Sequence, residues 1–372
     1  MQPANKAMLV TIYFLVLLFL FVFIFLQMPQ FGRLPGGERL KKIRQSPNYK
    51  NGSFQNLSHT PSLTEGASYS KVFKEFFFEK KERRLPDKII PSVKTNLKSL
   101  DSAEDVLVWF GHSSYFMQIE GKRILVDPVF SGSASPLPFG TKAFKGTDIY
   151  TAADIPEIDY LFITHDHWDH LDYKTIQQLK PKIQTVICGL GVGEHFEHWG
   201  YDESIIIEKD WNEEFILDND FTVTTFPARH FSGRGLARNK ALWLSYILKT
   251  ATMNIFIGGD SGYDTHFAEA GEQFGPFDLA ILENGQYDAN WRYIHLLPAE
   301  ILQAAKELKA KKILPVHSSK FALGNHAWDE PLEKLIQHNA AEKLAVLTPM
   351  IGEKVILKEN NQSFTHWWRN VQ

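Results

Sequence analysis

The residues with the most chemical content stand in one short run, Thr164-His165-Asp166-His167-Trp168-Asp169-His170. It follows the apolar stretch Tyr160-Leu161-Phe162-Ile163, which reads as a buried strand. A strand that ends in H-x-H-x-D-H offers three imidazoles and a carboxylate at its mouth. These are nitrogen and oxygen donors of the kind that borderline divalent ions such as zinc prefer. A loop leaving a strand can turn His165 and His167 to one side and Asp169 and His170 to the other. Neither pair fills a coordination shell, so more ligands must come from distant sequence.

Three strand-like runs supply candidates at their ends. Phe221 to Phe226 leads into Pro227-Ala228-Arg229-His230, Met253 to Ile257 into Gly258-Gly259-Asp260, and Lys312 to Val316 into His317. One such end is unremarkable, because a lone histidine is more often structural; three together point to a site. The simplest partition gives one ion His165, His167 and His230, and the other Asp169, His170 and His317. Asp260 then bridges them. Each ion keeps room for water, which is the mark of a catalytic rather than a structural centre. Asp127, at a strand end before Pro128, reads either as an orienter of a ligating imidazole or as a turn cap. His112, after Gly111, is likewise an outer partner of the site or a structural residue.

Positioning these groups requires several strands that end at one edge. From Asp105 onward short apolar runs recur, at 106–110, 115–119, 123–126, 185–187, 242–247 and 279–282, with Glu120-Gly121-Lys122 as a hairpin turn. Helical patterns intervene near 174–179, 263–273, 298–308 and 330–339. Strands interleaved with helices, yet opened by a hairpin, predict a mixed α/β architecture of two stacked sheets with helices outside.

Ahead of this region, residues 1–28 form a separate unit. Ala7 to Leu26 is almost wholly apolar and, as a helix, spans about 30 Å, one hydrocarbon core. Gln27-Met28-Pro29-Gln30 offers no small-residue cleavage site, which favours an uncleaved single-pass anchor over a signal peptide. Lys6 alone precedes the span, whereas Arg33, Arg39, Lys41, Lys42 and Arg44 follow it against Glu38, so the positive-inside rule predicts a cytoplasmic catalytic domain. Residues 29–100 read as a linker or wrap. Within it Tyr69, Val72, Phe73, Phe76 and Phe77 mark one face of a helix whose remainder is basic, Lys80 included. That face either packs on the domain or lies in a membrane interface. Residues 101–372 are expected to form the domain that carries the metal site. The single cysteine, Cys188, excludes an intrachain disulfide, and a net charge of −3 argues against generic nucleic-acid binding.

The motif series resembles the metallo-β-lactamase superfamily, and within it the N-acyl-phosphatidylethanolamine-hydrolysing phospholipase D group and its bacterial relatives. The resemblance rests on Trp109 to Ser114, Asp127 to Phe130, the H-x-H-x-D-H loop, Pro227 to Arg234, Gly259 to Tyr263 and His317 to Phe321. It implies a metallo-β-lactamase-like four-layer αββα sandwich with the metals at one edge between the sheets. It also implies two Zn2+ ions, with iron or manganese acceptable to the same donors. The activity implied is cleavage of a glycerophospholipid phosphodiester by attack of a metal-bound hydroxide, with the lipid bilayer and the phospholipid as partners. Asp169, Asp260 and His295 are the expected catalytic residues, and Trp168 and His295 the expected substrate contacts. The family usually has tyrosine at the position of Trp168, which removes a hydroxyl. The alternative on the same site is a lactonase or ester hydrolase of a small phosphorylated metabolite.

Overall fold

The computed structural model describes residues 3–79, 81–137, 140–218 and 220–371. After a short hairpin of Tyr49–Lys50 with Ser53–Phe54, six strands come next: β1 (Val106–Trp109), β2 (Tyr115–Ile119), β3 (Lys122–Val126), β4 (Ile158–Ile163), β5 (Ile183–Gly189) and β6 (Ile206–Lys209). Seven follow: β7 (Glu214–Asp218), β8 (Phe221–Phe226), β9 (Ser245–Lys249), β10 (Asn254–Ile257), β11 (Leu279–Glu283), β12 (Lys312–Val316) and β13 (Ala345–Val346). The last, β14 (Lys354–Ile356), returns to the first group. Two seven-stranded sheets result, in the orders β14-β1-β2-β3-β4-β5-β6 and β13-β12-β11-β10-β9-β8-β7.

The hairpin between β2 and β3 pairs Ile119 with Lys122 across Glu120 and Gly121, whose φ angles are +50° and +78°. Positive φ at both central residues is the type I′ signature, whose twist matches that of the flanking strands. Beyond the hairpin the strands turn parallel, β3 to β4 to β5 in one sheet and β10 to β11 to β12 in the other. β1 runs antiparallel to β2, which is antiparallel to β3, so β1 and β3 point the same way. By the same steps through β9, β8 points the same way as β10. The strands leading to His112, Asp127 and the H-x-H-x-D-H loop therefore end at one edge of the first sheet. Those leading to His230, Asp260 and His317 end at one edge of the second. Ligands in α/β sheets gather at such carboxyl ends.

The core explains why the sheets stack. Alternate residues of both (Leu107, Met117, Ile124, Phe162 against Val223, Leu248, Ile255, Ile281) form one buried cluster between them. The opposite face of the first sheet, with Phe116, Leu125, Leu161 and Val186, is covered by α4 (Tyr173–Leu179) and α5 (Gly193–His198). That of the second, with Phe256, Ala280 and Leu282, is covered by α6 (His266–Gln273), α7 (Glu300–Glu307) and α8 (Glu330–Glu342). The layering is α/β/β/α, a mixed α/β metallo-β-lactamase-like fold.

Before the sandwich come α1 (Pro3–Leu26), α2 (Gly37–Gln45) and α3 (Tyr69–Phe78). Within α1, Lys6–Leu26 is long and apolar enough to cross a membrane and is not buried against the rest of the chain. The segment after it wraps closely on the domain, for Ile43, Phe54 and Ile90 are fully buried in the central core. In α3 the predicted apolar face divides. Val72 and Phe76 are half-buried, whereas Tyr69, Phe73 and Phe78 are largely exposed. The Phe77 side chain and Lys80 lie outside the described residues.

Candidate metal centre

The loop after β4 delivers its side chains onto a floor closed by the second sheet. His165 Nε2 lies 2.8 Å from His167 Nδ1, which lies 3.2 Å from His230 Nε2. These three ring nitrogens form one group of potential ligands. Asp169, His170 and His317, with His112, form a second. Asp260 sits between them: its Oδ2 is 3.9 Å from His165 Nε2, 3.7 Å from His230 Nε2 and 3.3 Å from His170 Nε2, and its Oδ1 is 3.1 Å from His317 Nδ1. The close approach depends on Gly259 (φ +61°), where a Cβ would lie 2.9 Å from that of Thr164.

The outer partners select which nitrogen faces inward. His230 Nδ1 donates to Ile294 O at 2.9 Å, freeing Nε2. Thr164 Oγ1 lies 3.0 Å from His165 Nδ1, again leaving Nε2 inward. Asp127 accepts from Thr164 N (2.9 Å) and Thr164 Oγ1 (2.6 Å), and its Oδ2 lies 2.8 Å from His170 Nδ1. Of its two sequence readings, Asp127 therefore takes the first: it aims the His170 ring. His112 Nε2 lies 2.8 Å from Asp169 Oδ2, so His112 holds that carboxylate in place. His112, Asp127 and His317 have φ of +54°, +42° and +66°. Left-handed backbone at non-glycine residues costs on the order of 1–3 kcal/mol each and gathers where function needs it.

The electrostatics suit a cation. Burial holds His165, His230 and His317 well below the ordinary histidine range, and His167 down to about 4, so these rings are neutral with lone pairs available. Burial also pushes Asp260 up to about 6, although nearby His170 opposes this. Burial lowers His170, yet the carboxylates of Asp260, Asp169 and Asp127 hold it well above the ordinary histidine range, which leaves three buried carboxylates around one imidazolium. Among the described residues His170 Nε2 and Asp260 Oδ1 are buried without a hydrogen-bond partner. Such orphans at the focus of a nitrogen and oxygen donor set are what metal coordination would satisfy. Because Asp127 aims the His170 ring and also fastens Thr164 at the head of the loop, Asp127→Ala should weaken metal affinity by about 10- to 100-fold. Competition with a chromophoric chelator would measure this, and unchanged affinity would remove Asp127 from the role.

Above the floor opens a cavity of about 350 Å³. Its lining mixes apolar side chains, among them Leu63, Tyr69, Val72, Trp291, Ile294 and Leu323, with polar ones such as Asn56, Arg238 and Asn239. His295 lines the cavity, with Nδ1 2.6 Å from Glu283 Oε2. Glu283 Oε1 accepts from Leu296 N (2.9 Å) and Ser261 N (3.1 Å). Trp168 is placed elsewhere. It packs edge-on against Phe31 (5.2 Å between centroids) and beneath the Arg234 guanidinium (4.1 Å), outside the cavity lining.

Two residues of the site escaped the sequence reading. Glu283 ends an apolar run as Asp260 does, and that signal was available. Asn56 had none. It lies in the polar wrap, yet its side chain clamps the His230 backbone, donating to His230 O (2.8 Å) and accepting from His230 N (3.1 Å).

Residues 122–318 match the family described as "Beta-lactamase superfamily domain". An uncharacterised protein of Mycobacterium tuberculosis is 34% identical over 330 residues, covering 87% of this chain and 88% of the relative. The N-acyl-phosphatidylethanolamine-hydrolyzing phospholipase D 1 of Caenorhabditis elegans is 28% identical, covering 80% and 88%. Among solved structures, CmlA, a diiron β-hydroxylase from Streptomyces venezuelae, superposes with a TM-score of 0.52 at 19% identity, over 68% of this chain and 54% of that one. This last likeness is one of fold.

Proposed function

Because this chain belongs to the beta-lactamase superfamily, we propose that it is a dinuclear metallohydrolase that cleaves the phosphodiester of a membrane glycerophospholipid, in the manner of a phospholipase D. The observation that carries this reading is the convergence of His165, His167, Asp169, His170, His230, Asp260 and His317 beneath a cavity lined by both apolar and polar side chains. The phospholipase D name of the nematode relative supports the substrate class. The histidine-rich donor set favours zinc and accepts iron or manganese.

His165, His167 and His230 would hold one ion, and Asp169, His170 and His317 the other, with Asp260 serving both. Bound there, divalent ions supply an activated water and neutralise the charge of a phosphate. The remaining work belongs to side chains. Glu283 engages His295 Nδ1, so Nε2 is presented to the cavity. Burial pushes the Glu283 carboxyl well above the usual carboxylate range, which favours donation from Oε2 to Nδ1 and a proton on His295 Nε2. As that proton passes to the departing alkoxide, His295 Nδ1 would take the Glu283 proton, which leaves a neutral imidazole and a carboxylate. The apolar side chains of the lining would accept an acyl chain. The α1 span, read as a single-pass anchor with the domain on the cytoplasmic side, would keep the site beside its bilayer substrate.

His295→Asn should lower kcat about 100-fold or more on a phosphodiester with an alkoxide leaving group, and only a few-fold with p-nitrophenolate, which needs no proton. Equal losses on both would exclude the acid role. The reading as a whole is tested by elemental analysis of the full chain, coupled to mass spectrometry of products from N-acylated phosphatidylethanolamine. Two metal equivalents and release of phosphatidic acid with an N-acylethanolamine are expected. Opening of lactones or esters without phosphodiester cleavage would overturn it in favour of the small-metabolite alternative.

A further inference from the structure

Among the described residues that line the cavity, Arg238 is the one lysine or arginine. Its guanidinium lies 4.2 Å over the ring of Phe231. That ring in turn packs on His167 (4.4 Å) and His230 (4.8 Å), two members of the metal group. A single aromatic layer thus separates the cation from the floor of the site. Other arginines are engaged: Arg39 with Glu194, Glu197 and Glu208, Arg229 with Asp264, and Arg234 with the carbonyls of Gln30, Asp166 and Leu171. Arg238 has no carboxylate within ion-pairing distance among the described residues. Arg238 is exposed and lines the cavity, so its guanidinium is accessible to a ligand there.

From this arrangement we propose that Arg238 is a specificity-determining residue that selects substrates carrying a negative charge beside the scissile bond, a phosphodiester above all. The inference deepens the proposed function and rests on it. A guanidinium pairs with two phosphate oxygens at once, which an ammonium cannot match geometrically. Stacking on Phe231 orders the side chain before substrate arrives, so little conformational freedom is lost on binding. With Leu63, Val72, Ile294 and Leu323 lining the same cavity, the preferred ligand is an anionic ester with one greasy arm. A neutral lactone would leave the cation without a partner.

The test uses the full-length, metal-loaded protein and its R238Q and R238K variants. Each is assayed on bis(p-nitrophenyl) phosphate and on the neutral ester p-nitrophenyl butyrate, and dibutyl phosphate binding is measured by calorimetry. R238Q is expected to raise KM for the phosphodiester about 10-fold with kcat nearly unchanged, and to weaken dibutyl phosphate binding equally. The neutral ester should be handled as by the wild type, and R238K should recover part of the lost affinity. Equal losses on both substrates, or unchanged KM and Kd, would overturn the inference. A wild type that binds dibutyl phosphate through Arg238 yet cleaves no phosphodiester would overturn the proposed function and leave the role of Arg238 standing.

Discussion

Asp260→Asn is expected to release at least one metal equivalent and to lower turnover by about 1,000-fold or more. The carboxylate stands within 4 Å of ring nitrogens from His165, His170, His230 and His317, so no other single residue touches both ligand groups as broadly. An amide removes the negative charge and replaces one acceptor oxygen with a donor facing the lone pairs of neutral imidazoles. Elemental analysis and turnover should fall together. Full metal content with full activity would end the dinuclear proposal. The metal-free proteins should behave in the opposite sense. Burial raises the folded-state pKa of Asp260 from 3.8 to about 6. An acid whose folded pKa is raised costs stability above its unfolded value, and the cost grows until pH passes the folded value. Between about pH 4 and 6 the metal-free wild type should therefore lose stability relative to metal-free D260N, and the gap should then level off. Chemical denaturation across that range, with chelator present, would measure it.

Arg234→Ala should produce the largest loss of stability, about 3–5 kcal/mol. The side chain is buried, and burial lowers its pKa to about 10. Its Nη1 donates to Asp166 O (2.8 Å) and Leu171 O (2.6 Å), while Nε and Nη2 both donate to Gln30 O (3.1 and 2.8 Å). Two of these acceptors lie in or beside the metal loop, and the third belongs to the segment after α1. Truncation strands all three carbonyls and removes the cation that lies over Trp168. The midpoint of thermal unfolding should drop by about 6 °C or more, and metal affinity should fall with it. Arg234→Lys should not restore it, because one ammonium cannot reach the same divergent acceptors. A midpoint shift under 2 °C would show that these bonds are dispensable.

The parts of the site that were legible in sequence share a local cause. H-x-H-x-D-H carries its ligands on consecutive residues of one loop, and His230, Asp260 and His317 each follow an apolar run that announces a strand end. The layered fold was legible for a related reason, since alternating burial leaves its mark on composition. What stayed hidden depends on pairs of residues far apart in the chain. Trp168 reads as a pocket wall when seen inside its loop, but its partner is Phe31, and nothing near Trp168 signals that contact. Asn56 sits in a stretch with the composition of a linker, and its value lies wholly in the His230 backbone it meets. The α3 stripe was visible as a periodicity. Periodicity alone could not tell that Val72 and Phe76 are half-buried while Tyr69 and Phe73 are largely exposed.

The foot of α1 has a consequence for how the chain can be divided. Phe25 packs on Phe31 at 5.1 Å, Phe31 on Trp168, and the Gln30 carbonyl on Arg234. The apolar helix is thus joined to the reactive loop by a short rigid stack, and the junction behaves as a keystone rather than a leash. A version severed just after Leu26 would keep every member that Arg234 and Trp168 lean upon. One severed at Arg33 would lose the Phe31 ring and the Gln30 acceptor, and would start life with its reactive loop unsupported.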